Sequence, residues 1–176
     1  PAMKRPRLTV HDHLRDIPEA AWDGLLAHQA HPAPFVRHAY LAAMTDSGSA
    51  TPDTGWTPRF FALRQAAADT GEEELVAACM LYLKTHSYGE YVFDHAWAHA
   101  YRQHGVPYYP KAVIAPPFTP VPGARLLARD AQARSRLLQG VVDWCVAQEN
   151  VSSLHLLFID EGDLQACEEA GLMLRH

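Results

Sequence analysis

Six of the thirteen prolines fall between Pro107 and Pro122, and six of the seven tyrosines fall within residues 82–125. Proline fixes its own φ and donates no backbone hydrogen bond, so this stretch is loop framed by short elements and not one long helix or strand. Lys84, Glu90, Asp94, Lys111 and Arg125 are interspersed among the tyrosines and prolines, where a plain strand–helix unit would show clean periodicity. Such a segment suits a site better than a core. Tyrosine joins a large apolar ring to a hydroxyl, proline sets loop shape at low entropic cost, and a few placed charges orient a polar ligand. The structural alternative is a proline-rich surface loop over packed tyrosines.

The rest of the chain bounds the class. At 176 residues, 48% hydrophobic and 20% charged, it has the length and composition of one globular domain. A formal charge of −5 gives a general nucleic-acid binder no support. No apolar run reaches the length of a membrane span and the first residues carry no secretory apolar block, so a cytoplasmic location is the expectation. Cys79, Cys145 and Cys167 have no metal-ligand spacing and each sits in an apolar pattern, which predicts reduced core thiols. Among eleven histidines, His11/His13, His28/His31 and His95/His99 have suggestive spacing. Only His95 and His99 share a helix face, and Ala96 stands where a zinc-protease helix has glutamate, so no metal site is expected.

Periodicity and punctuation predict an α/β domain with a mixed, largely antiparallel central sheet flanked by helices. A short strand at 8–10 precedes a helix opened by Pro18 and carrying Trp22, Leu25 and Leu26, and a second helix spans about 36–44. Strands at 58–64 and 75–84 form a hairpin across the acidic turn 69–74. A short helix at 96–102 and a strand at 112–115 follow. The clearest helix runs from about 131 to 148 behind Asp130 as N-cap, with Leu137, Leu138, Val141, Val142 and Cys145 on one side. A strand at 154–159, a helix capped by Asp160 and a further strand from Leu172 complete the order. A strand beginning so near the last residue predicts that 1–176 is one domain of a longer protein, and that its edge near Leu172 and Leu174 favours self-association.

That element order resembles the GNAT acetyltransferase architecture. More specific runs are Leu83-Lys84-Thr85-His86-Ser87-Tyr88-Gly89-Glu90-Tyr91-Val92-Phe93-Asp94, Tyr108-Tyr109-Pro110-Lys111, Pro117-Phe118-Thr119-Pro120-Val121 and Gly123-Ala124-Arg125-Leu126-Leu127. With Gly55-Trp56-Thr57-Pro58 and Ser152-Ser153-Leu154-His155, they resemble the FemAB-like N-acyltransferases of peptidoglycan biosynthesis or recognition from about Trp22 to Arg175. The resemblance implies two related GNAT-like domains, of which this chain is the first. It also implies acyl or aminoacyl transfer to an amine, with a small-molecule or peptidoglycan-precursor-like acceptor held largely here. The donor it implies is acyl-CoA or an aminoacyl-tRNA, a tRNA being met through the second domain. A non-catalytic module that recognises a peptidoglycan-like or peptide ligand is the alternative.

Residue chemistry fills in the roles. Lys84 and Lys111 are the cations for a carboxylate or phosphate, and Tyr88, Tyr91 and Tyr109 the hydrogen-bonding groove walls. Thr119 and Arg125 belong to the same motif. Glu90 and Asp94 are the carboxylates available to a general base, loop-capping being their structural alternative. A standard acetyl-CoA site needs a Gly-rich turn at a helix N-terminus, but Leu126-Leu127-Ala128-Arg129-Asp130-Ala131-Gln132 holds no glycine and places Asp130 at the anion-favouring end.

Overall fold

The structure, a computed structural model, describes residues 4–86 and 109–174. Its centre is the hairpin of β2 (Trp56–Ala66) and β3 (Glu73–Lys84), which pair antiparallel from Trp56↔Lys84 to Ala66↔Glu73 with a bulge between Leu63 and Arg64. β3 is buried from Val76 through Tyr82, and such a continuous apolar run is what a strand covered on both faces requires. β1 (Arg7–His11) pairs antiparallel with β2, and its last partner is Phe60. Pro58 therefore falls where β2 has no neighbour on the β1 side, a position that tolerates a missing N–H.

β4 (Lys111–Ile114) adds antiparallel to β3, the two-residue β5 (Leu127–Ala128) pairs with β3 further along, and β6 (Leu154–Leu156) runs parallel to β4. The result is a six-stranded, largely antiparallel sheet in the order β1-β2-β3-β4-β6.

Consecutive strand residues point to opposite faces, and Phe60 and Phe61 show what lies on each. Phe60 meets Trp22 of α1 (Glu19–Ala27) edge-on, with ring centroids 6.4 Å apart. Phe61 meets Trp144 of α3 (Ala131–Ala147) at 5.3 Å. α1 and α3 thus sandwich the sheet, with α2 (His38–Asp46) beside α1 and α4 (Glu161–Glu169) packed along α3. The mixed α/β architecture is the expected one. Gly140 lets α3 approach β1, since a Cβ there would stand 2.6 Å from Leu8 Cδ2. All three cysteines are free and buried, and burial pushes the Cys145 and Cys167 thiols up to about 11 and Cys79 further.

Four local readings differ from the sequence expectation. The strand expected over 154–159 stops at Leu156 because Phe158 takes a left-handed φ of 54°. β5 carries too short a pattern to be recognised. α2 starts at His38, because Pro34–Val36 first forms a single 3-10 turn and Arg37 is extended. Leu172 starts no strand: its N–H donates to Cys167 O at 2.9 Å across Gly171, closing α4, while Met173 and Leu174 are exposed. The helix expected over 96–102 lies outside the described residues. No described helix is long and apolar enough to cross a membrane.

Asp130 accepts a hydrogen bond from the Ala133 amide at 2.8 Å and caps α3. Asp130→Ala is expected to lower stability by about 1 kcal/mol in denaturant titration, and Asp130→Asn by only a few tenths. Equal losses for both would show that the cap contributes nothing.

Candidate functional site

Trp56, Lys84 and Lys111 stand directly opposite one another on three adjacent strands. Directly opposed residues share a face, so the three side chains form a row across the end of the sheet, on the face that carries Phe60 and is covered by α1 and α2. The chain has three lysines against twelve arginines, and two of those three are in this row. Lys84 is 0% exposed and Lys111 2%. Two cations directly opposed across a ladder repel each other, and burial strips both of water, so the arrangement stands only where negative or polar groups accompany it.

Aromatic rings frame the pair. The Lys84 ammonium sits 3.8 Å from the centroid of the Trp56 ring, a cation–π contact worth up to about 2 kcal/mol when desolvated. The Lys111 ammonium lies 5.8 Å from the ring of Tyr109. Trp56 is held edge-on by Tyr82 at 5.3 Å and from another side by Phe118 at 5.1 Å. Gly55 makes the entry to this row possible. It takes φ 81°, and a Cβ there would fall 2.5 Å from the His86 ring, whose Nε2 pairs with Thr54 O at 2.7 Å.

The Pro117-Phe118-Thr119 turn ties the row to α2. Tyr40 donates to Pro117 O at 3.3 Å and pairs with Thr119 Oγ1 at 3.2 Å, while Thr119 also donates to Pro117 O at 3.0 Å. Phe118 adopts φ 58°, which costs an L-residue about 1 kcal/mol or more, and it remains 39% exposed while its ring packs at a tilt against Trp56. Strain at a partly exposed aromatic beside a buried cation marks this turn as a wall of the site. Thr119 thus reaches the row through Tyr40 and Phe118.

Arg125 takes a different position. Its Nε donates to Leu157 O at 3.0 Å and its Nη2 to Val121 O, while its own backbone N–H donates to Asp163 Oδ2 at 2.6 Å. Leu157 in turn bonds Ile114, so Arg125 stands at the far end of β4, about 10 Å from Lys111 by strand rise. Burial brings Arg125 down to about 10 and lifts Asp163 to about 7, the latter opposed by the Arg125 and Leu126 amides and by Arg134. Near this end an open cleft of about 260 Å³ is lined by His31, Pro122, Gly123, Ile159, Asp160 and Glu161, and by neither lysine.

Glu90, Asp94, Tyr88 and Tyr91, with His95 and His99, lie outside the described residues. His11 pairs with Thr9 at 2.8 Å and His13 with Asp46 at 3.1 Å, and no group of three metal-type ligands occurs among the described residues. The run 126–132 forms β5 and the capped start of α3, so the Asp130 carboxylate occupies the place where a phosphate would bind.

Sequence reading missed four members of this face. Trp56 follows only from the cross-strand register. Tyr82 lies two residues before Lys84, and its buried hydroxyl has no hydrogen-bond partner among the described residues. Burial and nearby Tyr40 push that phenol above its ordinary range. Ser153 and His155 arrive through β6: Val113↔His155 and Ala112↔Leu154 place both on the face of Lys111. The periodicity of two, counted back from Lys84 and forward from Lys111, was the available signal.

Asp163 supplies a pH prediction. The folded carboxyl keeps its proton to about pH 7, whereas an unfolded one loses it near 4. Within that window the folded state binds the extra proton, so stability falls as pH rises and levels off above 7, by at most about 1.4 kcal/mol per unit. Asp163→Asn should flatten this slope in denaturant titrations run from pH 4 to 8; an unchanged slope would assign it elsewhere.

A family profile described as FemAB-like, peptidoglycan biosynthesis/recognition, matches residues 13–176. No curated protein and no solved structure matches the chain.

Proposed function

The chain belongs to the FemAB-like family of peptidoglycan biosynthesis/recognition proteins, and from that membership and the lysine pair we propose that it serves acyl or aminoacyl transfer to an amine by holding the acceptor. The observation that carries this reading is the direct opposition of buried Lys84 and Lys111 beside Trp56. Peptidoglycan precursors carry phosphates and peptide carboxylates, and two ammonium groups on neighbouring strands suit one such anionic group. In a site shielded from water each charge-assisted contact is stronger than at the surface.

Beside that anchor Tyr109 supplies a ring face and Thr119 and Phe118 a further wall, and to Tyr88 and Tyr91, lying in sequence between the two lysines, we assign further contacts with the acceptor. Glu90 and Asp94, lying in sequence between the two lysines, are the carboxylates we assign to taking the first proton from the acceptor's ammonium, since only the neutral amine attacks an acyl carbon. Arg125 contributes by fixing the Val121 and Leu157 carbonyls at the other end of β4. The donor, an acyl-CoA or an aminoacyl-tRNA, belongs to a second GNAT-like domain.

Asp130 favours a second reading for this chain alone, a non-catalytic module that binds a peptidoglycan-like ligand. With its carboxylate on the Ala133 amide, the α3 N-terminus repels the pyrophosphate it would otherwise attract. Mass-spectrometric detection of acylated acceptor separates the readings: product from the chain joined to a second domain supports transfer, and ligand binding without product in either form supports the module.

Two outcomes test the site. Lys111→Met and Lys84→Met should each weaken binding of a nucleotide-linked muramyl peptide by about 1.5–3 kcal/mol, roughly ten- to hundredfold in calorimetry, without lowering the unfolding midpoint. Unchanged affinity with a sharply lower midpoint would make the pair structural. Acetyl-CoA titrated into the same protein should give no measurable heat of binding, and tight stoichiometric binding would refute the reading of the α3 terminus.

A further inference from the structure

Ser153 and His155 form a pair that the acceptor reading leaves unused. Ser153 Oγ lies 2.8 Å from His155 Nε2, the separation at which an imidazole takes a hydroxyl proton. Ser153 immediately precedes β6 and His155 lies within it, two residues on along a ladder that already includes the Ser153 carbonyl, so both side chains leave the same face. Ser153 O accepts from the Ala112 amide at 2.8 Å, and the preceding Ser152 binds Pro110 O through both its amide and its hydroxyl, at 3.1 and 3.2 Å. These bonds fix the dyad's backbone to the strand that carries Lys111.

Access differs sharply from that of the lysines. Ser153 and His155 are only partly buried, on a strand at the end of the sheet order, whereas Lys84 and Lys111 are fully covered. A reagent can therefore reach Ser153 while the ammonium of Lys111, on the neighbouring strand, stands on the same face. A nucleophile within hydrogen-bond reach of its base, on an accessible strand, is what attack on a carbonyl requires.

We propose that Ser153, activated by His155, is an acyl-accepting nucleophile that takes the acyl group from an activated oxygen ester or thioester before it passes to the acceptor amine. This rests on the acyl-transfer reading above. Ser153 Oγ attacks the acyl carbon as its proton moves to His155 Nε2. The tetrahedral intermediate collapses, the bond to the leaving oxygen or sulfur breaks, and that atom takes the proton from His155, leaving a serine ester. The neutral amine then attacks the ester carbon and gives its second proton to His155, which returns it to Ser153 Oγ as the C–Oγ bond breaks. No oxidant, reductant or further reactant is needed.

The test uses the whole chain and a fluorophosphonate, which phosphonylates activated serines with loss of fluoride, read by intact mass and peptide mapping. One adduct is expected, on Ser153. His155→Asn should slow labelling at least about a hundredfold, and the wild-type rate should rise with pH as His155 loses its proton, a rise the His155→Asn variant lacks. Ser153→Ala should abolish labelling. Should that variant fail to fold, Ser153→Cys keeps the nucleophile, and its alkylation by iodoacetamide should slow when His155→Asn is added. Labelling on another residue, or an unchanged rate in the His155 variant, overturns the proposal. Absent labelling combined with lost muramyl-peptide binding in Lys111→Met removes only the acyl-serine. Labelling with unaltered binding in the lysine variants removes only the acceptor reading.

Discussion

The register of β3 is the constraint on which the rest depends. Because the side-chain period of a strand is two, pairing Trp56 with Lys84 and Lys84 with Lys111 decides at once that these three share a face, that Tyr82 joins them, and that Cys79 and Leu81 look the other way. A slip of one residue in β3 would carry the Lys84 ammonium to the face covered by α3 and exchange the two apolar sets packed against α1 and α3. The register is itself held by packing on both sides, since Phe60 is gripped by Trp22 and Phe61 by Trp144. A hairpin fixed so firmly can carry an unfavourable pair of charges at its end.

That end and the opposite one divide the labour. At the start of β4 the row of Trp56, Lys84 and Lys111 gathers charge, aromatic surface and a strained turn. At its far end Arg125 and Asp163 bind main-chain groups, and their shifted titration follows from burial within that network. Perturbed titration alone points to the Arg125 end and not to the lysine row. The two ends differ in surroundings: Arg125 binds the Val121 and Leu157 carbonyls, and the lysines have the Trp56 and Tyr109 rings among their neighbours.

Much of this was legible in the sequence, for reasons that differ by residue. The hairpin, α1, α3 and α4 carry long periodic patterns with clear caps, Asp130 and Asp160 among them, and the elements follow where those signals stand. Lys84 and Lys111 were legible as charges among tyrosines and prolines. Their opposition was not, because it depends on a strand pairing between residues 27 apart in number, and no local pattern encodes it. Trp56 was named only within the run Gly55-Trp56-Thr57-Pro58, and its place beside Lys84 depends on the same kind of pairing. Ser153 and His155 were legible as part of the run Ser152-Ser153-Leu154-His155, but their mutual contact and their place beside β4 were not. Strand limits set by single left-handed residues, as at Phe158, escape periodicity altogether.

Because the chain contains only three lysines, isotopic labelling of the lysine ammonium nitrogens gives three NMR signals, those of Lys4, Lys84 and Lys111. Titration with a nucleotide-linked muramyl peptide measures the central claim at the atoms concerned. Saturable shifts of the Lys84 and Lys111 signals along one binding curve, with Lys4 unmoved, are the predicted result. Binding detected elsewhere in the protein while both buried signals stay fixed would contradict it.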